Sequence, residues 1–342
     1  MRTHLGVVAT IALAGLVLVP AGSARESAGF SQPSAGARLT VAGDALQIDG
    51  QTVFLAGVSL FDALGPTPPR DQDLDTLASW GVRSVRVWAH WHEAIYQADG
   101  ALTAPGRARL VRLAERLRAR GCILELVLLR PGQLPGQPFA IFGSEAARAK
   151  AVDSMTAALR EYRNVLFDLY NEHDHPDGPL AHAAARVLRD RVKAIDADRV
   201  VTISSTEHHF MSVGGEIGES GARNLREETG SSADSVGVDI LAAHLPRTED
   251  WASSSGARVR ALRAALDRVG SHVPIYLNEE RRAEARTSIQ PDAYRRAFAN
   301  ARGAGAAGWV FHTAAGFELA KKPFLEALSA DERAGLQSLR RP

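Results

Sequence analysis

The chain has 342 residues, with 40 lysines and arginines against 39 aspartates and glutamates. That balance leaves no electrostatic footprint for nucleic acid or an acidic membrane. An apolar fraction of 45% is ordinary for a globular protein, and Cys122, the single cysteine, excludes an internal disulfide and reads as a buried inert thiol beside Ile123.

The N-terminus opens with Met1, Arg2, Thr3 and His4, continues with a mostly apolar run over 5–19, and ends in the small residues of 20–24. A basic start, a short hydrophobic segment and small residues predict a secretory signal peptide over 1–24, and hence a secreted, extracellular protein with no membrane attachment after cleavage. A bilayer span needs about 20 apolar residues. This run is shorter and is interrupted by Gly6 and Gly15, and a retained anchor is the alternative. Residues 25–38, rich in Ser, Gly and Ala, read as a flexible leader, which leaves 39–342 as one folded domain.

Short runs at 39–41 and 46–48 flank Gly43 and Asp44 and predict a β-hairpin that covers the bottom of the core ahead of the first long strand. Apolar strand-like runs then follow at 53–58, 84–88, 123–129, 165–170, 200–203, 238–243, 273–277 and 308–311. Between most of them, at 107–120, 145–162, 180–195, 257–269 and 291–301, apolar residues recur every three or four positions, as in amphipathic helices. Eight strands alternating with helices in one domain predict an α/β fold, the (β/α)8 TIM barrel with a short N-terminal hairpin. The polar, Gly-rich stretch 206–233 reads as a long loop without a helix. A doubly wound open sheet is the alternative, although no Gly-rich phosphate loop follows the first strand.

In a barrel of parallel strands, the carboxyl ends of the strands form the rim where ligands bind. Here those ends carry Arg86, His90 and Trp91; Asn171, Glu172 and His173; Glu207, His208 and His209; His244; Asn278, Glu279 and Glu280; and His312. One rim therefore collects carboxylates from the fourth and seventh strands. Such a pair suits retaining glycoside hydrolysis, in which one carboxylic acid protonates the leaving oxygen and the other attacks the sugar carbon across about 5–5.5 Å. Glu279 and Glu280 compete for the second position. Strand parity sets them on opposite sides without choosing between them, and the other reading of Glu280 is a solvent-facing or Arg-paired side chain beside Arg281 and Arg282.

Four stretches carry a resemblance: Leu46-Gln47-Ile48-Asp49-Gly50 with Phe54-Leu55-Ala56-Gly57-Val58, Trp80-Gly81-Val82-Arg83-Ser84-Val85-Arg86-Val87, the run 162–172 ending in Asn171-Glu172, and Val273-Pro274-Ile275-Tyr276-Leu277-Asn278-Glu279. Together they resemble the retaining glycoside hydrolases of clan A, most of all the cellulase and mannanase-like family five. The resemblance implies a glycosidase acting on a β-linked oligo- or polysaccharide, with no cofactor and no metal. It matches Glu172 to the acid/base, Asn171 to the amide that binds the neighbouring sugar hydroxyl, Glu279 to the nucleophile and Arg86 to the arginine that orients it. His244 falls near the histidine closing strand six, and Trp91 and His312 complete the expected substrate-binding set. The chain departs from the pattern where His173 replaces a proline, Pro246 a tyrosine that contacts the nucleophile, and His312 a tryptophan that floors the sugar site, with Trp309 too early to serve. Only 6% of residues are aromatic, which favours a short site over a long groove of exposed rings.

Two further readings stand beside this one. His90, His92, His173, His175, His208, His209, His244 and His312 lie on or near the predicted rim, and imidazoles with carboxylates can hold zinc, as in a metal-dependent barrel hydrolase. A secreted barrel that binds a glycan without cleaving it is the third.

Overall fold

The structure, a computed structural model, describes residues 36–91, 95–130, 142, 144–283, 288–317 and 319–340. The expected signal peptide, most of the leader and His92 lie outside the described residues. Ala37 is already buried, and the Arg38 amide donates to Asp49 Oδ1 at 2.9 Å.

Strands β1 (Leu39–Ala42), β2 (Ala45–Ile48) and β3 (Gln51–Val53) form a small antiparallel sheet. The expected hairpin thus gains a third strand, because the run expected at 53–58 reaches back to Gln51 and divides at Phe54 before β4 (Leu55–Ser59) begins. Next come β5 (Ser84–Trp88), β6 (Ile123–Leu129), β7 (Val165–Tyr170), β8 (Val200–Thr202), β9 (Ser204–Ser205), β10 (Leu241–Ala243), β11 (Ile275–Leu277) and β12 (Gly308–Phe311). The parallel sheet runs in the order β8-β7-β6-β5-β4-β12-β11-β10-β9. Only Ile203 separates β8 from β9, so its two ends are halves of one broken fifth strand and the ring is closed. Between the strands lie α1 (Asp71–Ser79), α2 (Ala104–Arg118), α3 (Glu145–Leu159), α4 (His182–Ile195), α5 (Glu219–Thr229), α6 (Trp251–Arg268) and α7 (Pro291–Gly303). After β12 come α8 (Phe324–Ala327) and α9 (Ala330–Ser338).

Alternation along each strand explains the layers. Val85 and Val87, Leu124 and Leu126, and Phe167 and Leu169 share one core with the helices. Their neighbours of opposite parity, such as Ile123 and Leu166, join Leu55, Val200, Tyr276 and Val310 in a second core, which Leu39 and Leu46 of the small sheet close from below. Burying each of these leucines stabilises the fold by about 1.5–3 kcal/mol. One step further along the same faces, the pattern places Arg86, Glu125 and Asp168, all fully buried.

The expectation of a helix-free stretch at 206–233 is overturned by α5. Its buried face consists of Gly221, Leu225, Glu228 and Thr229, so the usual apolar spacing is missing. Gly221 is required by close packing, since a Cβ there would stand 1.9 Å from the Phe210 carbonyl oxygen. Gly221→Ala should therefore push α5 off the loop before it and destabilise the protein by about 1–3 kcal/mol. A urea-denaturation midpoint equal to that of wild type would show that the packing relaxes freely.

Candidate active site

Arg86 projects from β5 into the barrel with no solvent exposure. Its Nη2 donates to Asp168 Oδ2 at 2.8 Å and Asn171 Oδ1 at 2.9 Å, and its Nη1 donates to Glu279 Oε2 and the Asn278 carbonyl, each at 3.0 Å. Nε lies 3.0 Å from Glu125 Oε1. Burial works against this cation, but Glu125, Asp168 and Glu279 outweigh it and raise its pKa. Burial pushes Glu125 up to about 7 against the pull of Arg86, with the Asp168 charge adding to the rise. Tyr276 and Asn278 satisfy Glu125 with bonds of 2.7 and 2.9 Å. Ser204 donates to Asp168 from both its hydroxyl and its amide, at 2.7 and 3.0 Å.

Glu279 is held from both sides. Arg247 Nη2 donates to its Oε1 at 3.0 Å while Arg86 takes Oε2, and His312 Nε2 stands 3.5 Å from Oε1. Burial alone would raise the Glu279 pKa, but His312, His244, Arg247 and Arg86 hold the carboxyl well below its usual range. Burial keeps His312 itself neutral near pH 7, and Arg282 Nη1 lies 2.8 Å from its Nε2. The two guanidiniums are therefore the standing charges that keep Glu279 ionised.

Glu172 stands at the end of β7 with a φ of 48°, a left-handed conformation that non-glycine residues rarely adopt and that clusters at functional positions. Its Oε1 lies 3.2 Å from His244 Nδ1, and His244 Nε2 lies 3.9 Å from Glu279 Oε2. Ligand atoms of Glu172, His244 and Glu279 all fall within 4.8 Å of one another, which puts the two carboxylates face to face with one imidazole beside both. Trp91 is half-buried, donates from its indole to the Phe317 carbonyl at 3.2 Å, and packs against Phe61 and Phe317.

All seven residues expected at the site, Arg86, Trp91, Asn171, Glu172, His244, Glu279 and His312, are described. All but Trp91 are linked by the contacts above, and Trp91 reaches His312 through Phe61, whose ring centroid is 5.4 Å from that of the imidazole. Sequence reasoning missed Glu125, Asp168 and Arg247. The first two are charges at inward positions of otherwise apolar strands, level with Arg86, a signal available in the pattern. Arg247 follows Pro246 in a loop, where no periodicity marks it, and its guanidinium bonds to Glu279. Trp309 is fully buried and packs on Phe298, away from the rim.

Glu280 is neither solvent-facing nor paired with Arg281 or Arg282, the arrangement expected of it if Glu279 faces the site. It is 2% exposed, its Oε1 has no hydrogen-bond partner, and burial pushes its pKa up to about 7 despite Arg247 and Arg258. The unfolded carboxyl titrates near 4.5 and the folded one near 7, so between those values the folded chain keeps a proton that the unfolded chain has lost, and stability falls as pH rises. Glu280→Gln should accordingly gain on wild type by on the order of 3 kcal/mol between pH 4.5 and 7 in urea denaturation. A difference between the two proteins that does not vary with pH would remove Glu280 from this role.

No protein-family model matches the sequence, and no curated protein matches it. Solved structures do match the fold. A β-glucanase from Saccharophagus degradans in complex with cellotetraose is 13% identical, with a TM-score of 0.63 over 89% of this chain and 93% of its own. A β-1,4-D-mannanase from Cryptopygus antarcticus is 15% identical, with a TM-score of 0.59 over 89% and 94%. A β-mannanase from the blue mussel Mytilus edulis is 14% identical, with a TM-score of 0.60 over 90% and 97%. At these identities the likeness is one of fold: nearly the whole chain shares the (β/α)8 barrel on which those glycoside hydrolases are built.

Proposed function

We propose that the protein is a secreted retaining glycoside hydrolase that acts on a β-linked oligo- or polysaccharide through a covalent glycosyl-enzyme. The observation that carries this reading is the approach of the Glu172 and Glu279 ligand atoms to within 4.8 Å. Retaining enzymes hold their carboxyl groups about 5–5.5 Å apart, whereas inverting enzymes need about 6.5–9.5 Å to admit a water. The fold shared with β-glucanases and β-mannanases supports the substrate class.

In this scheme Glu279, kept ionised by Arg86 and Arg247, attacks the anomeric carbon while Glu172 gives its proton to the departing oxygen. Glu172, now ionised, then takes a proton from water, or from a sugar hydroxyl in transfer, as that oxygen displaces Glu279. His244 touches both carboxylates and fixes their relative placement. With Asn171 Oδ1 committed to Arg86, its amide NH2 is the group that can donate to the hydroxyl beside the reacting carbon. Trp91, among Phe61 and Phe317, offers the ring against which a sugar can stack.

One observation favours the binding-only reading. Both Glu279 oxygens already accept from guanidiniums, which lowers the nucleophilicity of the carboxylate. The same two cations oppose a metal ion at Glu172, His244 and Glu279. Incubation with 2-deoxy-2-fluoro glycosides followed by peptide mapping should label Glu279. Glu172→Gln should lose about 10²–10⁴-fold in kcat on substrates with poor leaving groups and far less on activated ones. Saturable glycan binding with no turnover and no label would replace the hydrolase with a lectin-like barrel.

A further inference from the structure

A second constellation lies outside the carboxylate pair. The Nε2 atoms of His173, His209 and His182 converge on one carboxylate oxygen, Glu228 Oε1, at 2.9, 2.8 and 3.7 Å. Ligand atoms of all four residues fall within 4.8 Å of one another. Glu228 has no solvent exposure and His173 is 2% exposed. Glu228 Oε2, His182 Nε2 and His209 Nε2 are buried without a hydrogen-bond partner among the described residues. His209 Nε2 thus sits close to the carboxylate yet is not aligned to bond to it.

The far nitrogen of each ring explains what the near one presents. His173 Nδ1 lies 3.2 Å from the Leu180 carbonyl, His182 Nδ1 lies 2.8 Å from Glu227 Oε2, and His209 Nδ1 lies 3.1 Å from Asp174 Oδ2. Each of these partners is an acceptor, and Asp174 is itself fixed by Thr206, whose amide and hydroxyl donate to it at 2.7 and 2.5 Å. Hydrogen on Nδ1 of each imidazole satisfies these acceptors and leaves Nε2 as the atom that faces Glu228, with His173 Nε2 at hydrogen-bond distance from it and Asn224 Nδ2 3.5 Å from His209 Nδ1. Nε2 lone pairs facing a buried carboxylate repel it unless a proton or a metal ion lies between them, and a metal ion can serve all three at once. The alternative, three imidazoliums, balances their charge only with Glu228, Glu227 and Asp174 all ionised, and still crowds three cations around one buried oxygen. Imidazoles whose outer nitrogens are held by carboxylates or carbonyls are the usual supporting arrangement of a metal-ligating histidine.

We propose that His173, His182, His209 and Glu228 bind a divalent transition-metal ion, zinc by preference. Three imidazoles and one carboxylate suit zinc, whose tetrahedral bonds of about 2.0–2.1 Å set ligand atoms roughly 3.3–3.4 Å apart. The three distances to Glu228 Oε1 bracket that spacing. Four protein ligands close the coordination sphere, so the ion is structural and leaves no position for a reacting water. It ties the loop after β7, the first residue of α4, the loop after β9 and the far end of α5 to one point. His173 directly follows Glu172, and its amide donates to the Ser204 carbonyl at 2.9 Å, so the ion also anchors the chain beside the left-handed residue of the candidate site.

The test uses the full chain, purified without a metal-binding tag, supplied with zinc and dialysed exhaustively against metal-free buffer. Elemental analysis should find one zinc per chain. His182→Ala, which removes the most exposed ligand, and the isosteric Glu228→Gln should each lose it, whereas Glu279→Gln should retain it. Replacement by cobalt should give the intense visible absorption of a four-coordinate site, and chelator should lower the melting temperature of wild type but not of Glu228→Gln. Absence of stoichiometric zinc, a weak six-coordinate cobalt spectrum, or undiminished zinc in both ligand variants would each overturn the site. Loss of zinc only in Glu279→Gln would move the ion to the carboxylate pair and overturn it equally.

Discussion

Everything above the apolar floor of the barrel depends on one buried guanidinium. Arg86 has no access to water, and an unpaired cation there would cost several kcal/mol. Glu125, Asp168 and Glu279 supply the counter-charge from three different strands or strand ends, and Asn171, Asn278 and Ser204 accept further hydrogen bonds from it. Such a pairing adds little net stability over a well-packed apolar centre, but it is specific. A guanidinium fork satisfied by fixed partners permits one relative placement of the strands, and that placement brings Glu279 to face Glu172.

The electrostatics of the rim follow from that arrangement. Arg247 adds a second cation on the outer side of Glu279, so this carboxylate remains ionised although it is nearly dry. Among the described residues no cation is bonded to the Glu172 carboxylate, whose partner there is an imidazole. Two carboxylates of the same chemical type are thereby given different surroundings by loop residues, and divergent surroundings are what assign unlike proton-transfer roles to a pair of acids.

Much of this was legible in the sequence because strand and helix periods differ. Apolar runs of strand length alternating with helical patterns specify the barrel, and the rule that ligands meet the carboxyl ends of strands points to Asn171, Glu172, Glu279 and His312. What escaped did so for physical reasons. Helix α5 buries a glycine, a leucine, a glutamate and a threonine, so no hydrophobic stripe announces it. With that helix unseen, Glu228 had no place beside His173 and His209, and His182, the first residue of α4, had no reason to stand out. Arg247 owes its position to loop geometry, which local pattern does not encode. Glu125 and Asp168 were readable in principle, since a charge in mid-strand, level with Arg86 and on the same face, has nowhere to go except toward it.

The break in the fifth strand ties the closure of the barrel to its rim. Ile203 divides a strand whose first half pairs with β7 and whose second half pairs with β10. Ser204, just past the break, also steadies Asp168 and, through its carbonyl, His173. The same short segment therefore links two neighbouring strands and steadies the rim. A change that displaced Ser204 would loosen the ring and the rim together.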